Sequence, residues 1–346
     1  MKIKRFILLT VLLLSLIFIS YKLLNKQSPD PTLRIGWQSA WATQGQLAQV
    51  LQKTNILALL NMKGEFKSFT YGAPLSEAAL ASELDIAFVG DQPAITLLSK
   101  SDDWKIIGRL MDFRVGIVVP VNSEIKSIID LKGKTLGIPY GSSTHRVALK
   151  LLKEAGLEPG KDVKILNIDI QEQNEIVKAG GNKVWKGVDA FASWDHHIAN
   201  YEKQNWAKII SERTALGVIM MSAKYMRANQ DAAAKFLSAF KMAYFYYSQH
   251  QTDSNKWFAE VTQGKFDIDL LEKVALIEPN LSAKSLSDVH IEINSDNKLM
   301  LQTASDFALQ NQLIKSKVNI EGSVIDLKNQ ESKISNESLI GKIKEQ

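Results

Sequence analysis

One stretch of the sequence governs how the rest of the chain is interpreted: residues 135–152 read TLGIPYGSSTHRVALKLL. The first four residues are mostly apolar and predict a strand, which Pro139-Tyr140-Gly141 then ends. Three hydroxyl residues follow, and the apolar spacing after His145 predicts a helix. A strand, a glycine turn and a helix in this order are typical of an α/β protein with a mostly parallel sheet.

The start of this helix has the chemistry of an anion site. The first turn of a helix leaves backbone N–H groups without intrahelical partners, and the helix dipole makes that end partly positive. Gly141 allows a sharp turn. Further donors are offered by Ser142, Ser143, Thr144 and His145. Ser or Thr at a helix start is equally an ordinary N-cap without a ligand, so these residues alone leave both interpretations open.

Length, composition and charge limit the class of protein. The 346 residues suit two domains of ordinary size, and 45% hydrophobic with 23% charged residues is a globular composition. The five basic residues among the first 27 account for the whole formal net charge of +5. The remaining chain is neutral, which argues against nucleic-acid binding. The absence of cysteine excludes disulfides, iron–sulfur clusters and thiolate zinc sites, and we expect neither a cofactor nor a metal.

Residues 1–27 have the pattern of an export signal. Met1–Arg5 are positively charged, and an apolar run extends from Phe6 to Ile19. No small-residue cleavage site follows, so a cleaved signal peptide and an uncleaved signal anchor both fit. Either one places the body in the periplasm, free or tethered to the inner membrane.

Strands alternate with helices along the chain. The other predicted strands are Leu33–Trp37, Phe66–Tyr71, Asp85–Val89, Ile106–Leu110, Val115–Val119, Val163–Asn167, Gly187–Ala192 and Leu216–Ser222. In such sheets ligands collect at the carboxyl ends of the strands, so we expect the loops at 37–41, 90–92 and 141–145 to converge.

Several features have ordinary structural explanations. Asp91 followed by Pro93 is a normal helix-cap pair. The aromatic stripe of the predicted helix Gln230–Gln249 is expected in the core. His196 and His197 are adjacent and cannot share a helix face, which argues against a metal site. Lys328–Gln346 is expected as a frayed tail or an exposed helix.

A family resemblance emerges from the ordered set of motifs. They are Leu33–Gln38, Gly72–Pro74, Gly90–Pro93, Asp130–Lys134, Gly141–His145 and Val188–Asp195. The chain resembles the periplasmic solute-binding proteins of ABC importers for aliphatic sulfonates, taurine and nitrate, most closely the sulfonate-binding branch. The resemblance covers about Leu33–Ile320.

The resemblance implies a two-lobed α/β fold, the type II periplasmic-binding-protein fold, with a ligand cleft between the lobes. One lobe would comprise residues 32–115 and 220–320, and the other residues 116–219. Two segments would cross between them, near 115–119 and 216–221, and residues 321–346 would be a polar C-terminal tail. Closure by hinge motion would be detected by the membrane permease.

The resemblance also implies the ligand-binding residues. In the family the segment at Gly141–His145 holds the anionic head group, Trp194 packs on the apolar part of the solute, and Asp195 accepts from an amine or a water. The full expected set is Gln38, Trp41, Asp91, Gln92, Gly141, Ser142, Ser143, Thr144, His145, Trp194 and Asp195.

Three residues depart from the family pattern. His196 stands where the family usually has Pro, Ala94 replaces a second Pro, and Arg146 stands where a small polar residue is common. Arg146 could contact the solute, but we expect a solvated helix residue there.

The leading functional hypothesis is a monomeric, non-enzymatic binding protein. It would deliver a small organic anion, an aliphatic sulfonate or taurine ahead of nitrate or another oxyanion, to ABC permease and ATPase subunits. One alternative is a binding protein or enzyme for a thiamin pyrimidine precursor on the same fold, although the related synthases use a Cys-rich motif. Another is a hydrolase using Ser143, His145 and Asp195, although Gly-x-Ser-x-Gly is absent. The third is a membrane-anchored solute sensor.

Overall fold

The computed structural model describes residues 32–263, 266–334 and 337–346. The predicted export signal at residues 1–27 lies outside the described residues. Within them, the secondary structure alternates between strands and helices until about residue 222 and is helical afterwards. The predicted α/β class is therefore confirmed.

The strands of the described chain form one eight-stranded sheet. They are β1 (Leu33–Gln38), β2 (Gly64–Phe69), β3 (Ile86–Gly90), β4 (Trp104–Pro120), β5 (Thr135–Ile138), β6 (Lys164–Asn167), β7 (Ala190–Trp194) and β8 (Ala207–Ser222). Their order is β2-β1-β3-β8-β4-β7-β5-β6. Strands β1, β2 and β3 pair in parallel, as do β5, β6 and β7, whereas β8 runs antiparallel to β3 and β4. We call the two parallel sets the β1 group and the β5 group.

Helices cover both faces of this sheet. Those before β8 are α1 (Gln44–Lys53), α2 (Ile56–Leu59), α3 (Gly72–Leu80), α4 (Asp91–Lys100), α5 (Ser143–Glu154), α6 (Ile170–Gly180) and α7 (His197–Lys203). Those after it are α8 (Ala223–Ala228), α9 (Ala232–Gln249), α10 (Gln251–Val261), α11 (Ile268–Ala275), α12 (Ser295–Gln310), α13 (Ile320–Ser323), α14 (Lys328–Ile334) and α15 (Glu337–Ile340). Strand β3 is buried along its whole length, as its unbroken apolar run indicates for a sheet covered on both sides.

Two long central strands join the two groups. The sequence predicted separate strands at 106–110 and 115–119, but both belong to β4, which pairs with β8 along its full length. The polar residues Asp112 and Arg114 break the apolar pattern, yet their backbones stay in the ladder. Strand β8 likewise begins at Ala207, nine residues before the predicted start. These strands contain both segments predicted to cross between lobes, while the lobe boundaries stay a prediction.

The C-terminal tail agrees with its prediction in part, since Lys328–Ile334 is a largely exposed helix in which Glu331 alone is buried. The residues after it do not fray but fold back on the loop before α2, where the backbone N–H of Asn55 donates to the Lys344 carbonyl and the Asn55 side chain accepts from the Lys344 amide. The Tyr246 hydroxyl donates to Glu345 at 3.2 Å. Ile340 and Ile343 also pack against the apolar core, so polar and apolar contacts together hold the tail. The predicted core stripe on α9 is confirmed, since Phe236, Phe240, Tyr244 and Tyr247 are fully buried.

Candidate functional site

A cavity lies where the carboxyl ends of β1, β3, β5 and β7 meet. Its lining encloses about 300 Å³ of space between atoms, part of which is open to solvent. Both strand groups contribute to its wall, which is formed by Gln38, Trp41, Tyr71, Gly72, Gly90, Pro93, Phe113, Ser142, Ser143, Thr144 and Trp194. None of these side chains is a carboxylate or a cation, so the wall is uncharged.

The hydroxyl turn at the start of α5 presents one free hydroxyl hydrogen to this cavity. Ser142 is the N-cap: its Oγ accepts from the His145 amide at 3.2 Å and donates to the Pro139 carbonyl at 2.6 Å. Because the Ser142 hydrogen is used, Thr144 Oγ1 donates to Ser142 Oγ, 2.6 Å away. Within the described chain, Ser143 Oγ only accepts, from the Gln92 amide at 3.5 Å. The Ser143 hydrogen and the backbone amides of Ser143 and Thr144 therefore remain for a ligand.

Glycines allow the two strand groups to approach each other at the cavity. A Cβ on Gly90 of β3 would lie 2.5 Å from Ser143 Oγ. Gly141 has φ +75°, and a Cβ there would lie 3.1 Å from the Ala73 Cβ. Any other residue at position 90 would displace the hydroxyl of Ser143, and position 141 requires the left-handed backbone that glycine tolerates.

Aromatic side chains provide most of the apolar lining. The ring centroids of Trp41 and Phe113 lie 4.5 Å apart. Trp194 Nε1 donates to the Ala40 carbonyl at 2.9 Å, which ties β7 to the loop after β1. Trp41 Nε1 is buried and has no hydrogen-bond partner in the described part of the chain. A buried, unpaired N–H is costly, and an acceptor on a ligand in the cavity would satisfy it.

Two buried glutamines hold the loop that carries Trp41. The Gln38 amide donates its Nε2 to the Phe88 carbonyl at 2.8 Å, and its backbone N–H donates to Gln44 Oε1 at 3.1 Å. Gln44 Nε2 donates in turn to the Trp41 carbonyl at 2.5 Å. Gln38 and Gln44 are both at most 4% exposed. The Trp41 ring is therefore positioned before a ligand arrives.

The structure places His145 beside the cavity and outside its wall. Its Nδ1 accepts from the Gly141 amide at 3.3 Å, and its ring stacks on Tyr140 with the planes 3° apart. Burial lowers the pKa of His145 to about 4. The ring is therefore neutral at pH 7, and it supports the turn by accepting a hydrogen bond. The sequence had instead predicted that His145 would donate a hydrogen bond to the anion.

The structure contradicts the roles predicted for Asp91 and Arg146. The N-cap of α4 is Gly90, and Asp91 is the first helical residue, so it is not the predicted cap. Arg146 was predicted as a solvated helix residue, but it is buried and its Nη2 forms an ion pair with Asp91 Oδ2. The close approach of α4 and α5 removes both side chains from water. Neither lines the cavity.

Asp195 and Gln92 also lie outside the cavity wall. The Asp195 carboxylate is held by Arg114, with Nε to Oδ2 at 2.8 Å and Nη2 to Oδ1 at 2.9 Å. Gln92 donates its side-chain nitrogen to Thr96 Oγ1 at 3.2 Å, while its backbone approaches Ser143. Of the predicted site residues, the structure brings together Gln38, Trp41, Ser142, Ser143, Thr144 and Trp194 around the cavity.

Five lining residues are absent from the predicted set: Gly72, Gly90 and Pro93, which belong to the family motifs, and Tyr71 and Phe113. Phe113 lies between the polar residues Asp112 and Arg114, so no apolar run marks it. Tyr71 directly precedes the motif Gly72-Ala73-Pro74. That motif is the sequence feature from which the loop after β2, and with it Tyr71, could have been placed at the cavity. Burial, with a smaller contribution from the negative charge of Asp169, raises the pKa of the Tyr71 hydroxyl.

Residues 32–263, 266–334 and 337–346 contain no cluster of three or more His, Asp or Glu side chains placed to hold a metal ion. None of their helices combines the length and apolar character needed to cross a membrane.

A family model described as NMT1/THI5 like matches residues 77–254, just over half of the chain. The putative aliphatic sulfonates-binding protein of Bacillus subtilis (strain 168) is 26% identical over 270 residues, which are 76% of each chain. Both findings confirm the predicted resemblance.

Solved structures share the fold. The alkanesulfonate-binding protein SsuA from Xanthomonas axonopodis pv. citri, bound to MOPS, aligns with a TM-score of 0.69 at 21% identity, over 86% of this chain and 100% of that one. The desulfurization enzyme DszB aligns with a TM-score of 0.62 at 14% identity, over 87% and 99% of the chains. The predicted periplasmic-binding-protein fold is thereby confirmed, and both a binding protein and an enzyme are known on it.

Proposed function

The chain belongs to the NMT1/THI5-like family, and from this premise we propose that it is the extracytoplasmic solute-binding component of an ABC importer. Its solute is a small organic anion, an aliphatic sulfonate or taurine ahead of nitrate or another oxyanion. The name of the Bacillus subtilis relative, an aliphatic sulfonates-binding protein, supports this class of solute.

The observation that carries the proposal is the set of uncharged donors at the start of α5. Ser143 and Thr144, with the Ser143 hydroxyl and their two backbone amides, line the same cavity as Trp41, whose Nε1 has no hydrogen-bond partner in the described chain. A sulfonate spreads one negative charge over three oxygens, and each oxygen accepts hydrogen bonds. Helix-terminal amides and neutral donors are the means by which proteins bind such groups without a full positive charge.

The apolar part of the wall suits the rest of an aliphatic solute. Trp41, Phe113 and Trp194 offer ring surface, and Pro93 adds an aliphatic one. Removing alkyl carbon from water stabilises the complex by about 0.8 kcal/mol per buried CH₂. An anionic head at the hydroxyl turn and a short carbon chain against the rings would use both parts of the cavity.

The aromatic lining favours one second candidate, a thiamin pyrimidine precursor. A flat heterocycle could stack between rings of the kind provided by Trp41 and Trp194. The donors at Ser143 and at the first-turn amides would then meet ring nitrogens, which are weaker acceptors than an anion. We therefore place this solute second.

We propose that binding is not followed by chemistry. A proton relay would need a hydrogen bond from the Ser143 hydroxyl to the His145 ring and a second one from that ring to the Asp195 carboxylate. However, His145 Nδ1 accepts from Gly141, and both oxygens of Asp195 are held by Arg114. The conceivable nucleophile therefore lacks an oriented base.

The transport setting is also a proposal. Residues 1–27 would export the chain to the periplasm, as a cleaved signal or as a tether. Residues 32–115 with 220–320 and residues 116–219 would move as lobes about β4 and β8, with a permease recognising the closed form. The protein would act as a monomer.

Thermal unfolding of the purified full-length protein tests the proposal. The panel comprises alkanesulfonates, taurine, nitrate, sulfate, phosphate and pyrimidine precursors. A ligand at 100 times its Kd adds roughly 2.7 kcal/mol of stability, which shifts Tm measurably. We expect the sulfonates to raise Tm. A shift with the heterocycles alone would replace the proposal by the second candidate, and no shift with any compound would remove both.

A further inference from the structure

The loop between β1 and α1 is bonded to the end of β7 and the start of α7. The Ala40 carbonyl accepts from Trp194 Nε1 at 2.9 Å and lies 3.0 Å from His197 Nε2. Two residues further along the loop, the Ala42 N–H donates to His196 Nδ1 at 3.1 Å. These contacts hold the loop on both sides of the tryptophan that lines the cavity.

The ring of His196 is completely buried, and the hydrogen bond from Ala42 sets its tautomer. Nδ1 accepts, so it carries no hydrogen, and the hydrogen of the neutral ring lies on Nε2. Nε2 has no hydrogen-bond partner in the described chain. The rings of Phe266 and Phe258 pack around it, with centroids 3.8 and 6.0 Å from that of His196. This environment therefore suits only the neutral ring with Nδ1 as an acceptor.

The charged groups around His196 in the described chain are bound to other partners. Both oxygens of Asp195 are held by Arg114, and Asp267, at the start of α11, pairs with the exposed Lys203 at 2.8 Å. Helix α10 meets the ring through a phenylalanine, and the loop after β1 contains no titratable side chain. Burial, with the nearby charge of the histidine that follows, lowers the pKa of His196 well below its ordinary value.

We infer that His196 is a positioning residue for the ligand: its neutral ring holds the loop that carries Trp41 against the β5 group, so protonation of the ring releases the loop and weakens binding. The inference rests on the proposed function, because it requires a solute in the cavity between the strand groups. A hydrogen on Nδ1 would face the Ala42 N–H, and two donors cannot bond each other. The cation would also be buried without an opposite charge, which is strongly disfavoured. The ring therefore takes up a proton only after it separates from the loop.

The sign of the pH dependence follows from the linkage between proton and ligand. Once the loop has separated from His196, water reaches the ring, which then titrates near its ordinary pKa of 6.5. Ligand binding requires the neutral, bonded ring, so the proton and the ligand compete below this pH. A sulfonate stays an anion throughout this range and adds no titration of its own. We expect its Kd to rise about tenfold between pH 7 and pH 5.

Titration calorimetry of the full-length protein with 1-propanesulfonate at pH 7, 6 and 5 measures this dependence. A Kd that stays constant over the range would overturn the inference. Absence of binding at every pH would instead refute the proposed function, and the inference would fall with it.

Two variants separate the hydrogen-bond acceptor from the ring. His196→Asn keeps an acceptor for the Ala42 N–H but does not titrate, so its Kd at pH 7 should stay within about threefold of the wild-type value and should no longer depend on pH. His196→Phe keeps a ring without an acceptor, and the unsatisfied Ala42 N–H should raise Kd about tenfold at every pH. His290→Gln, at an exposed ring, is the matched control and should keep the wild-type pH profile.

Two results with these variants would contradict the role of His196. A wild-type pH profile in His196→Asn would show that another group causes the dependence. A wild-type Kd at pH 7 in His196→Phe would show that the loop needs no acceptor. If His196→Phe does not fold, the comparison of the wild type with His196→Asn decides.

Discussion

Arg146 Nη2 and Asp91 Oδ2 form a buried ion pair that joins α5, which follows β5, to α4, which follows β3. The pair lies behind the hydroxyl turn, one helical turn from Ser143. The Arg146 side chain is 7% exposed and the Asp91 side chain is fully buried. The two strand groups are thus joined by a charge pair at the place where the cavity forms.

Breaking this ion pair is expected to destabilise the protein strongly. Asp91→Asn leaves the Arg146 charge buried without its partner, and such losses cost about 3–5 kcal/mol. The combined variant Arg146→Gln, Asp91→Asn leaves no buried charge and should recover most of that loss. Equilibrium unfolding in urea measures both.

Lys150→Met is the control for this experiment. Lys150 pairs with Glu154 on the same helix, and both side chains are more than 40% exposed. Its loss should change the free energy of unfolding by less than about 1 kcal/mol. An Asp91→Asn variant no less stable than this control would show that the buried pair contributes nothing.

The hydroxyl of Ser143 should be the side chain on which anion affinity depends most. Ser143→Ala removes the hydroxyl that retains its hydrogen, and a hydrogen bond to a charged group contributes about 1.5–3 kcal/mol. We expect the Kd for an alkanesulfonate to rise about tenfold or more by titration calorimetry. Ser127→Ala, at an exposed 3₁₀ turn remote from the cavity, is the control. A Ser143→Ala variant with wild-type Kd would remove this turn from the site.

The stability of the protein should fall as the pH is lowered from about 6.5 towards 4. Burial lowers the pKa of His145 to about 4, so between these values the unfolded chain binds a proton that the folded chain does not. The neutral ring thus contributes stability above pH 6.5 that is lost on acidification, about 3 kcal/mol in all. Burial, with the nearby charge of His197, also lowers the pKa of His196, which adds to the same trend.

The variant His145→Phe isolates the contribution of His145. It keeps a ring to stack on Tyr140 but cannot titrate, so its free energy of unfolding should fall less between pH 7 and pH 4. His290→Gln, at an exposed ring, should retain the wild-type pH dependence. Urea unfolding across this range gives the comparison, and parallel curves for wild type and His145→Phe would contradict the assignment.

Removing the C-terminal residues 337–346 should destabilise the protein without changing ligand affinity. The deletion breaks the hydrogen bonds to Asn55 and Tyr246 and exposes apolar surface under Ile340 and Ile343. A loss of about 3 kcal/mol is expected from these contacts. The segment lies outside the cavity wall, so the Kd should stay the same. Unfolding in urea and titration calorimetry test the two parts separately, and an altered Kd would connect the tail to the site.

The sequence predicted the architecture well because the periodicity of apolar residues is a local property. The strand at 135–138, the helix predicted from near His145 and the buried stripe of α9 could all be recognised from neighbouring residues. The strand β4 was divided in two because Asp112 and Arg114 interrupt its apolar pattern. The backbone N–H of Asp112 donates to Glu278 and the Arg114 side chain binds Asp195, and both acceptors are distant in the chain, so these contacts could not be predicted from neighbouring residues.

By itself the sequence predicted the α/β class from spacing and residue type, and the family from a resemblance in its motifs. The helix start at Ser142–Thr144 stays a predicted anion site. Only the tertiary structure decided which polar groups are free for a ligand. Asp91, His145 and Asp195 look like ligand residues in the sequence, but packing pairs them with Arg146, Gly141 and Arg114. Trp41 and Ser143 keep donor hydrogens because no partner in the described chain reaches them. The availability of a buried polar group depends on its neighbours in space, and these come from segments that the sequence does not place side by side.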